Sequence, residues 1–229
     1  MYFTGVRHGT YKIVTTYLGN TPKYPEPIEQ YPAKFMGMDT TTSGNWGKIF
    51  GKDGYVLCNY NGAGVDKRAL PSYVSAVSYY KVKGNGEPLN TVWEPKTNDQ
   101  RALAPDAGNG TPRTASCLYS ADADQIGYTF TCTIDIKGVK NHQVSLYFVD
   151  WDKKRRKISV EMFDAATSNL IAPVKIVENS IGGTYLKFAY NKSVKFRINM
   201  VRGDNAVLNG IFFDPVSSNK PIRQERSGY

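Results

Sequence analysis

The chain has 229 residues, 41% hydrophobic and 13% aromatic, which excludes a disordered polypeptide and is ample for a buried core. Its 29 basic and 20 acidic residues leave a net charge of +9, compatible with an anionic partner as well as with simple solubilising charge. No run approaches a membrane span, and no charged and apolar leader opens the chain, so it reads as a cytoplasmic protein or as one domain of a longer exported one.

The first 35 residues differ from the rest. Pro22, Pro25, Pro27 and Pro32 interrupt a string of tyrosines, and each proline pushes its predecessor out of helical space. Residues 1–35 therefore read as an extension or linker with one strand at 11–18, and residues 36–229 as the folded domain. Residues 39–54 are rich in Gly and Thr and surround Trp46, and short strands follow at 55–58 and 73–82. Residues 83–113, punctuated by Gly and Pro around Trp93, read as a long loop.

From there alternating strands come quickly, at 114–119, 126–134, 174–177, 185–190 and 194–200. The densest pattern is 141–164. Val144, Leu146 and Phe148 share one face, as do Ile158, Val160 and Met162, and a charged stretch separates the two runs. That spacing predicts a hairpin whose tip, Lys153 to Lys157, is five consecutive basic residues held in solvent. The same run offers Arg forks to oxyanions as an alternative use. Residues 206–214 are apolar at nearly every position, which predicts one central strand. About ten short strands with no helical pattern imply an all-β, antiparallel sandwich of jelly-roll type.

Little in the sequence speaks for catalysis or metal. The histidines are His8 and His142, with no nucleophile elbow or zinc-binding helix motif nearby. Cys58, Cys117 and Cys132 lack ligand spacing, and Cys117 and Cys132 fall out of cross-strand register, so no disulfide is expected between them. Asp150 and Asp152 are read as pointing to opposite faces of one strand, an expectation that would place them poorly as a glycosidase pair. Asp39 before the first sandwich strand and Asp214 at the end of the last are the candidate oxygen ligands of a structural calcium. Arg202-Gly-Asp204 sits between two strands and reads as a turn. There is no nucleotide-binding glycine motif, and aromatics are not interleaved with the basic run, which argues against nucleic acid.

The aromatics carry more information. Trp46, Trp93 and Trp151 occupy loops or strand ends with polar neighbours, the composition that lets an indole stack on a sugar ring while side chains bond its hydroxyls. The stacking candidates are Trp46, Tyr55, Trp93 and Trp151; the polar candidates are Asp150, Asp152, Arg113 and Arg155.

An ordered set of short motifs then becomes visible. It runs Asp39-x-Thr-Thr-x-Gly-x-Trp46, Phe50-Gly-x-Asp-Gly-Tyr55, Leu70-Pro-Ser-Tyr-Val, His142-x-Val-Ser-Leu-Tyr-Phe-Val-Asp-Trp-Asp152, Gly182-Gly-Thr-Tyr-Leu and Asn205-Ala-Val-Leu-Asn-Gly-Ile-Phe-Phe-Asp214. Over roughly residues 36–216 it resembles the accessory β-sandwich modules of bacterial glycoside hydrolases, galactose-binding-like jelly rolls regarded as carbohydrate-binding. The resemblance implies a non-catalytic module that binds a polysaccharide or oligosaccharide beside an adjacent catalytic domain, outside the cytoplasm. Two other classes stand beside it: a structural domain that packs on a catalytic one, and a polysaccharide-active enzyme with its site in residues 83–113.

Overall fold

The computed structural model describes residues 33–81, 86–107, 110–120 and 129–216, all within one unit spanning 31–229. The strands are β1 (Lys34–Asp39), β2 (Gly54–Leu57), β3 (Lys67–Ala69), β4 (Val74–Lys81), β5 (Leu89–Thr97), β6 (Arg113–Ser120) and β7 (Thr129–Ile136). They continue with β8 (His142–Phe148), β9 (Lys157–Asp164), β10 (Leu170–Glu178), β11 (Thr184–Tyr190), β12 (Val194–Arg202), β13 (Ala206–Leu208) and β14 (Gly210–Pro215). Two short 3₁₀ turns, Trp46–Lys48 and Ser180–Gly182, complete the described elements. The strands form a six-stranded sheet ordered β1-β11-β8-β14-β2-β3, a five-stranded sheet ordered β10-β9-β12-β7-β4, and a three-stranded sheet ordered β13-β6-β5. The predicted all-β antiparallel sandwich is therefore present.

The alternation read from sequence sets the core. Val144, Leu146 and Phe148 of β8 and Leu186, Phe188 and Tyr190 of β11 face one side of it. Ile158, Val160 and Met162 of β9, Phe196 and Ile198 of β12, and Phe130, Cys132 and Ile134 of β7 face it from the other sheet. A second apolar cluster lies on the other face of the six-stranded sheet: Trp46, Phe50, Leu57, Leu103, Tyr147, Val149, Tyr185 and Phe212. All three cysteines are buried and free.

Four sequence expectations need correction. First, 141–164 is not a hairpin. β8 pairs with β11 and β14, whereas β9 pairs with β10 and β12 in the other sheet. The two apolar faces meet across the core instead of lying side by side, and residues 149–156 turn the corner between sheets. Second, the basic run is not a wholly solvated tip. Lys153, Lys154 and Arg155 are exposed, but Arg156 turns inward and Lys157 enters β9, 3.1 Å from Glu178. Third, 83–113 is not all loop, because β5 occupies its middle as an edge strand beside β6. Its prolines and glycines hid it, and its register slips at Trp93 in a bulge.

Fourth, 206–214 is two strands in two sheets, divided at Asn209. This buried side chain accepts from Val149 N–H at 2.8 Å and donates to the Ser116 carbonyl at 2.8 Å. Its backbone N–H donates to the Tyr147 carbonyl, and its carbonyl accepts from Cys58 N–H, each at 3.0 Å. β14 is nonetheless central in its sheet, with Ile211 and Phe213 in one cluster and Phe212 in the other. An apolar layer on each face explains its unbroken hydrophobicity.

At the N-terminal side, residues 34 and 35 belong to β1 although the sequence places them in the extension. The strand expected at 11–18, His8 and the rest of residues 1–32 lie outside the described residues.

The corner at 149–156 is held by charge. Asp150 and Arg156 are both only 2% exposed at the side chain, and their ion pair is joined by Asp152. Asp150 also accepts from the backbone N–H groups of Lys154 at 3.0 Å and Arg156 at 3.2 Å, and Arg156 Nε donates to Asn205 Oδ1 at 2.8 Å. Removing one member of a buried pair strands the other charge without its partner. Arg156→Ala is expected to lower the unfolding free energy by about 3–5 kcal/mol, read as a drop in the urea midpoint at unchanged slope.

Candidate functional site

The corner, β5 and the loop after it meet at one end of the sandwich. Trp151 leaves β8 at the corner, and the β5 bulge re-aims Trp93 toward it. The two indoles are nearly parallel, 19° apart with centroids 6.5 Å from each other, and both are half-buried. A guanidinium lies against each ring. Arg101 Cζ is 4.2 Å from the centre of Trp151, and Arg156 Cζ is 5.9 Å from that of Trp93.

Arg101 is itself fixed. Its Nε and Nη2 donate to the Asp99 carboxylate, at 3.0 and 2.7 Å, and Nη1 reaches the carbonyls of Trp151 and Ile181. The Arg101 bonds hold the Asp99 carboxyl below its ordinary range. Tyr147 donates its hydroxyl to the Arg101 carbonyl at 2.9 Å, tying this loop to the second apolar cluster. Gly183 makes that tie fit. Its φ is +92°, and a Cβ there would come within 2.1 Å of the Tyr147 hydroxyl.

The site residues read from sequence have different fates. Trp93 and Trp151 come together beside Arg156, and Asp150 and Asp152, expected on opposite faces of a strand, instead lie in the corner after β8 and both bond that guanidinium. Burial pushes the Asp152 carboxyl up, and Arg156 more than offsets this, leaving it below its ordinary value. Arg155 is exposed with φ +55°, and its carbonyl accepts from Arg202 Nε, so the inward basic residue is its neighbour Arg156. The Arg202 segment is a turn as expected, with Gly203 at φ +95°.

Trp46 is not a stacking platform. It is 5% exposed, donates Nε1–H to the Ala104 carbonyl at 3.1 Å and packs 5.0 Å from both Tyr55 and Phe212. Apolar neighbours on several sides, not visible in a Gly-rich loop, draw it into the core. Tyr55 is half-buried against it, and burial and then Asp106 raise its phenol above the ordinary value. Arg113 is a buried tie: it donates to the carbonyls of Gly44, Ala102 and Ala107 and to Asn45 Oδ1. It still borders a polar groove of about 810 Å³ with Glu94, Lys96, Asn98, Gln100 and Thr111.

The proposed calcium pair does not assemble. Across the sheet Asp39 aligns with Tyr185, Tyr147 and Gly210, three strands away or about 14 Å. Asp214 lies four residues further along β14, near its other end. Asp39 instead caps its own turn, accepting from Thr41 and Thr42, and Asp214 accepts from Lys52 N–H at 3.0 Å. Among the described residues no cluster of three or more His, Cys, Asp or Glu side chains has metal-binding geometry.

Sequence reasoning missed Asp99, Arg101 and Arg156. The first two stood two residues apart in a presumed loop, a spacing that suits a self-contained ion pair. Arg156 was concealed by its basic neighbours, and the one local cue was the pair of acids four and six residues before it.

No protein-family model matches the chain, and no curated protein matches it. Among solved structures it is similar to the enzymatically active domain of tailspike protein 4 from bacteriophage CBA120, at 16% identity over 62% of this chain and 19% of that one, TM-score 0.32. It is also similar to a family 61 carbohydrate-binding module in complex with β-1,4-galactotriose, at 14% identity over 61% of this chain and 85% of that one, TM-score 0.32. A family 35 carbohydrate-binding module from an environmental isolate is 11% identical over 61% of this chain and 93% of that one, TM-score 0.34. The neighbours are mainly carbohydrate-binding modules and glycoside hydrolase chains. At these identities and scores the sandwich assignment rests on the chain's own strand pairing.

The two kinds of tryptophan separate in a melt. Trp46→Ala should cost about 3–5 kcal/mol as a core truncation, whereas Trp151→Ala should cost about 1 kcal/mol, both read by urea unfolding. Asp214 supplies a pH signature. Burial raises its carboxyl above the ordinary value, outweighing the N–H groups of Lys52 and Gly51 that bond it. The unfolded chain ionises first as pH rises, so wild-type stability falls between the unfolded and folded values. Asp214→Asn should therefore melt higher than wild type at pH 7, and the gap should close toward pH 4 in a thermal-melt series.

Proposed function

We propose that this chain is a non-catalytic glycan-binding module that serves a larger glycan-degrading protein outside the cytoplasm. One observation carries the reading: two half-exposed, nearly parallel indoles, Trp93 and Trp151, held at a rigid sandwich end by Arg101 and Arg156. Indole faces and edges receive the C–H surface of a sugar ring, and fixed guanidinium and carboxylate groups beside them bond its hydroxyls. The polar groove on the same group of loops, lined by Asn98, Gln100 and Thr111, offers amide and hydroxyl partners of the kind sugar hydroxyls need.

The carboxylates favour binding over catalysis. A glycosidase needs one acid kept protonated and a second facing it across the scissile bond. Here Asp150 and Asp152 both bond to Arg156, and Asp152 lies below its ordinary value, the opposite of a general acid. In the groove of residues 83–113, where the sequence allowed an enzyme site, Glu94 is the one carboxylate among the described lining residues.

Among the described residues no helix is long and apolar enough to cross a membrane. A module of this kind raises local substrate concentration for whatever it is tethered to.

Affinity electrophoresis through gels of neutral polysaccharides tests the reading. Trp151→Ala and Trp93→Ala should weaken retention about tenfold while the far-ultraviolet spectrum stays unchanged, because losing a stacking platform costs about 1.4 kcal/mol. Equal retention of wild type and both variants, or no retention on any glycan, would favour the structural-domain reading. Reducing-end release by the isolated chain would establish an enzyme.

A further inference from the structure

The opposite end of β8 carries a second cavity. β8 is seven residues long, which places its start about 20 Å from the tryptophan end. There the turn between β7 and β8, the loop before β4 and residues 52–53 border an open cleft of about 960 Å³. One wall is aromatic. Tyr73 stacks on His142 with centroids 3.5 Å apart and planes 14° apart, and its hydroxyl donates to Asp53 at 3.2 Å. Val139 stands at the rim with 83% of its surface exposed, and Pro71 and Pro215 extend the apolar lining.

The charge around this space is unbalanced. Lys52, Lys137 and Lys140 line it, each exposed, and among the described residues none of them has a carboxylate partner. Among the described residues the acids nearby are Asp53 in the lining, one oxygen of which is engaged by Tyr73, and the buried Asp214 behind Lys52, so the lysines exceed them by three to two. Burial holds the His142 imidazole below its ordinary value, so at neutral pH the ammonium groups supply the positive charge. Behind the wall, the hydroxyl of Tyr190 is buried without a hydrogen-bond partner, in a residue 1% exposed whose ring centre is 6.1 Å from that of His142.

Three exposed lysines in no ion pair among the described residues, outnumbering the nearby acids Asp53 and Asp214, around an aromatic and aliphatic wall suit a ligand with one apolar face and one oxyanion. A simple inorganic anion would use the lysines and leave the wall idle. A nucleic acid strand stacks successive bases on several rings, whereas this wall holds a single stacked Tyr73–His142 pair. We propose that this cavity is a second binding site, specific for an acidic saccharide, whose carboxylate or sulfate meets Lys52, Lys137 and Lys140 while its ring lies against Tyr73 and Val139. It is independent of the tryptophan end, and the two sites are separable by substitution.

Calorimetric titration of the full chain with trigalacturonate, β-1,4-galactotriose, sodium sulfate and a single-stranded DNA 12-mer tests it. Wild type and Trp151→Ala should bind trigalacturonate alike, and the Lys137→Ala/Lys140→Ala variant about tenfold more weakly with an unchanged melting temperature. Val139→Ser, which leaves every charge in place, should also weaken trigalacturonate binding. The neutral trisaccharide should show no binding that the double lysine variant alters. Equal affinity in wild type and the lysine variant, loss confined to Trp151→Ala, or no binding of trigalacturonate overturns the site. Sulfate binding as tightly as trigalacturonate assigns the cavity to free anions, and tighter binding of DNA assigns it to nucleic acid; either overturns the saccharide assignment. Failure of neutral-glycan retention at the tryptophan end leaves these readouts intact, so the two conclusions fall separately.

Discussion

Between the last residue of β8 and the first of β9 the chain must leave one sheet and enter the other, and the pairing of Asp150 with Arg156 closes that corner. Both side chains are almost wholly out of solvent, where a lone charge would be costly. Each is therefore bonded several times over: Asp150 to the backbone of Lys154 and Arg156 as well as the guanidinium, and Arg156 to Asp152 and Asn205 besides. The same guanidinium approaches the ring of Trp93. The contact that lets the chain change sheets thus also sets where the tryptophan end begins.

A second constraint acts from below. β14 is sandwiched between two apolar clusters, so the six-stranded sheet is packed on both faces along the part that supports the tryptophans. Tyrosine hydroxyls carry this packing outward into the loops. Tyr147 bonds the Arg101 carbonyl and Tyr185 the Ser43 carbonyl, joining segments far apart in the chain. Asn209 adds four bonds at the point where the chain passes from β13 to β14. A binding surface on such loops begins largely ordered, which reduces the entropy lost when a ligand is held.

The two ends of the sandwich differ in chemistry. At the tryptophan end the two guanidiniums that lie against the rings, Arg101 and Arg156, are both ion-paired, so the surface touching the rings suits polar but uncharged hydroxyls. At the β8 start the lysines are unpaired and the aromatic wall is already stacked on itself. Part of the chain's excess positive charge lies at that second end, whereas Lys154, Arg156 and Lys157 of the basic run are ion-paired.

Strand positions were legible because alternation is local: a residue's side of the sheet depends on its parity within its own strand. The faces of β8 and β9 and the antiparallel sandwich class follow from that; the centrality of β14 came from its apolar residues on both faces, and Trp93, Trp151 and Asp152 were nominated from residue type and loop placement. Pairing was not legible, because parity says which face is buried but not which strand supplies the opposite wall. Two apolar runs flanking a charged stretch fit a hairpin and a sheet-to-sheet corner equally well. The fate of single side chains was likewise decided only in three dimensions. Trp46 went inward because Tyr55 and Phe212 are close to it in space, Arg156 because Asp150 needed a counter-charge, and Asp39 and Asp214 were parted by the register of three strands.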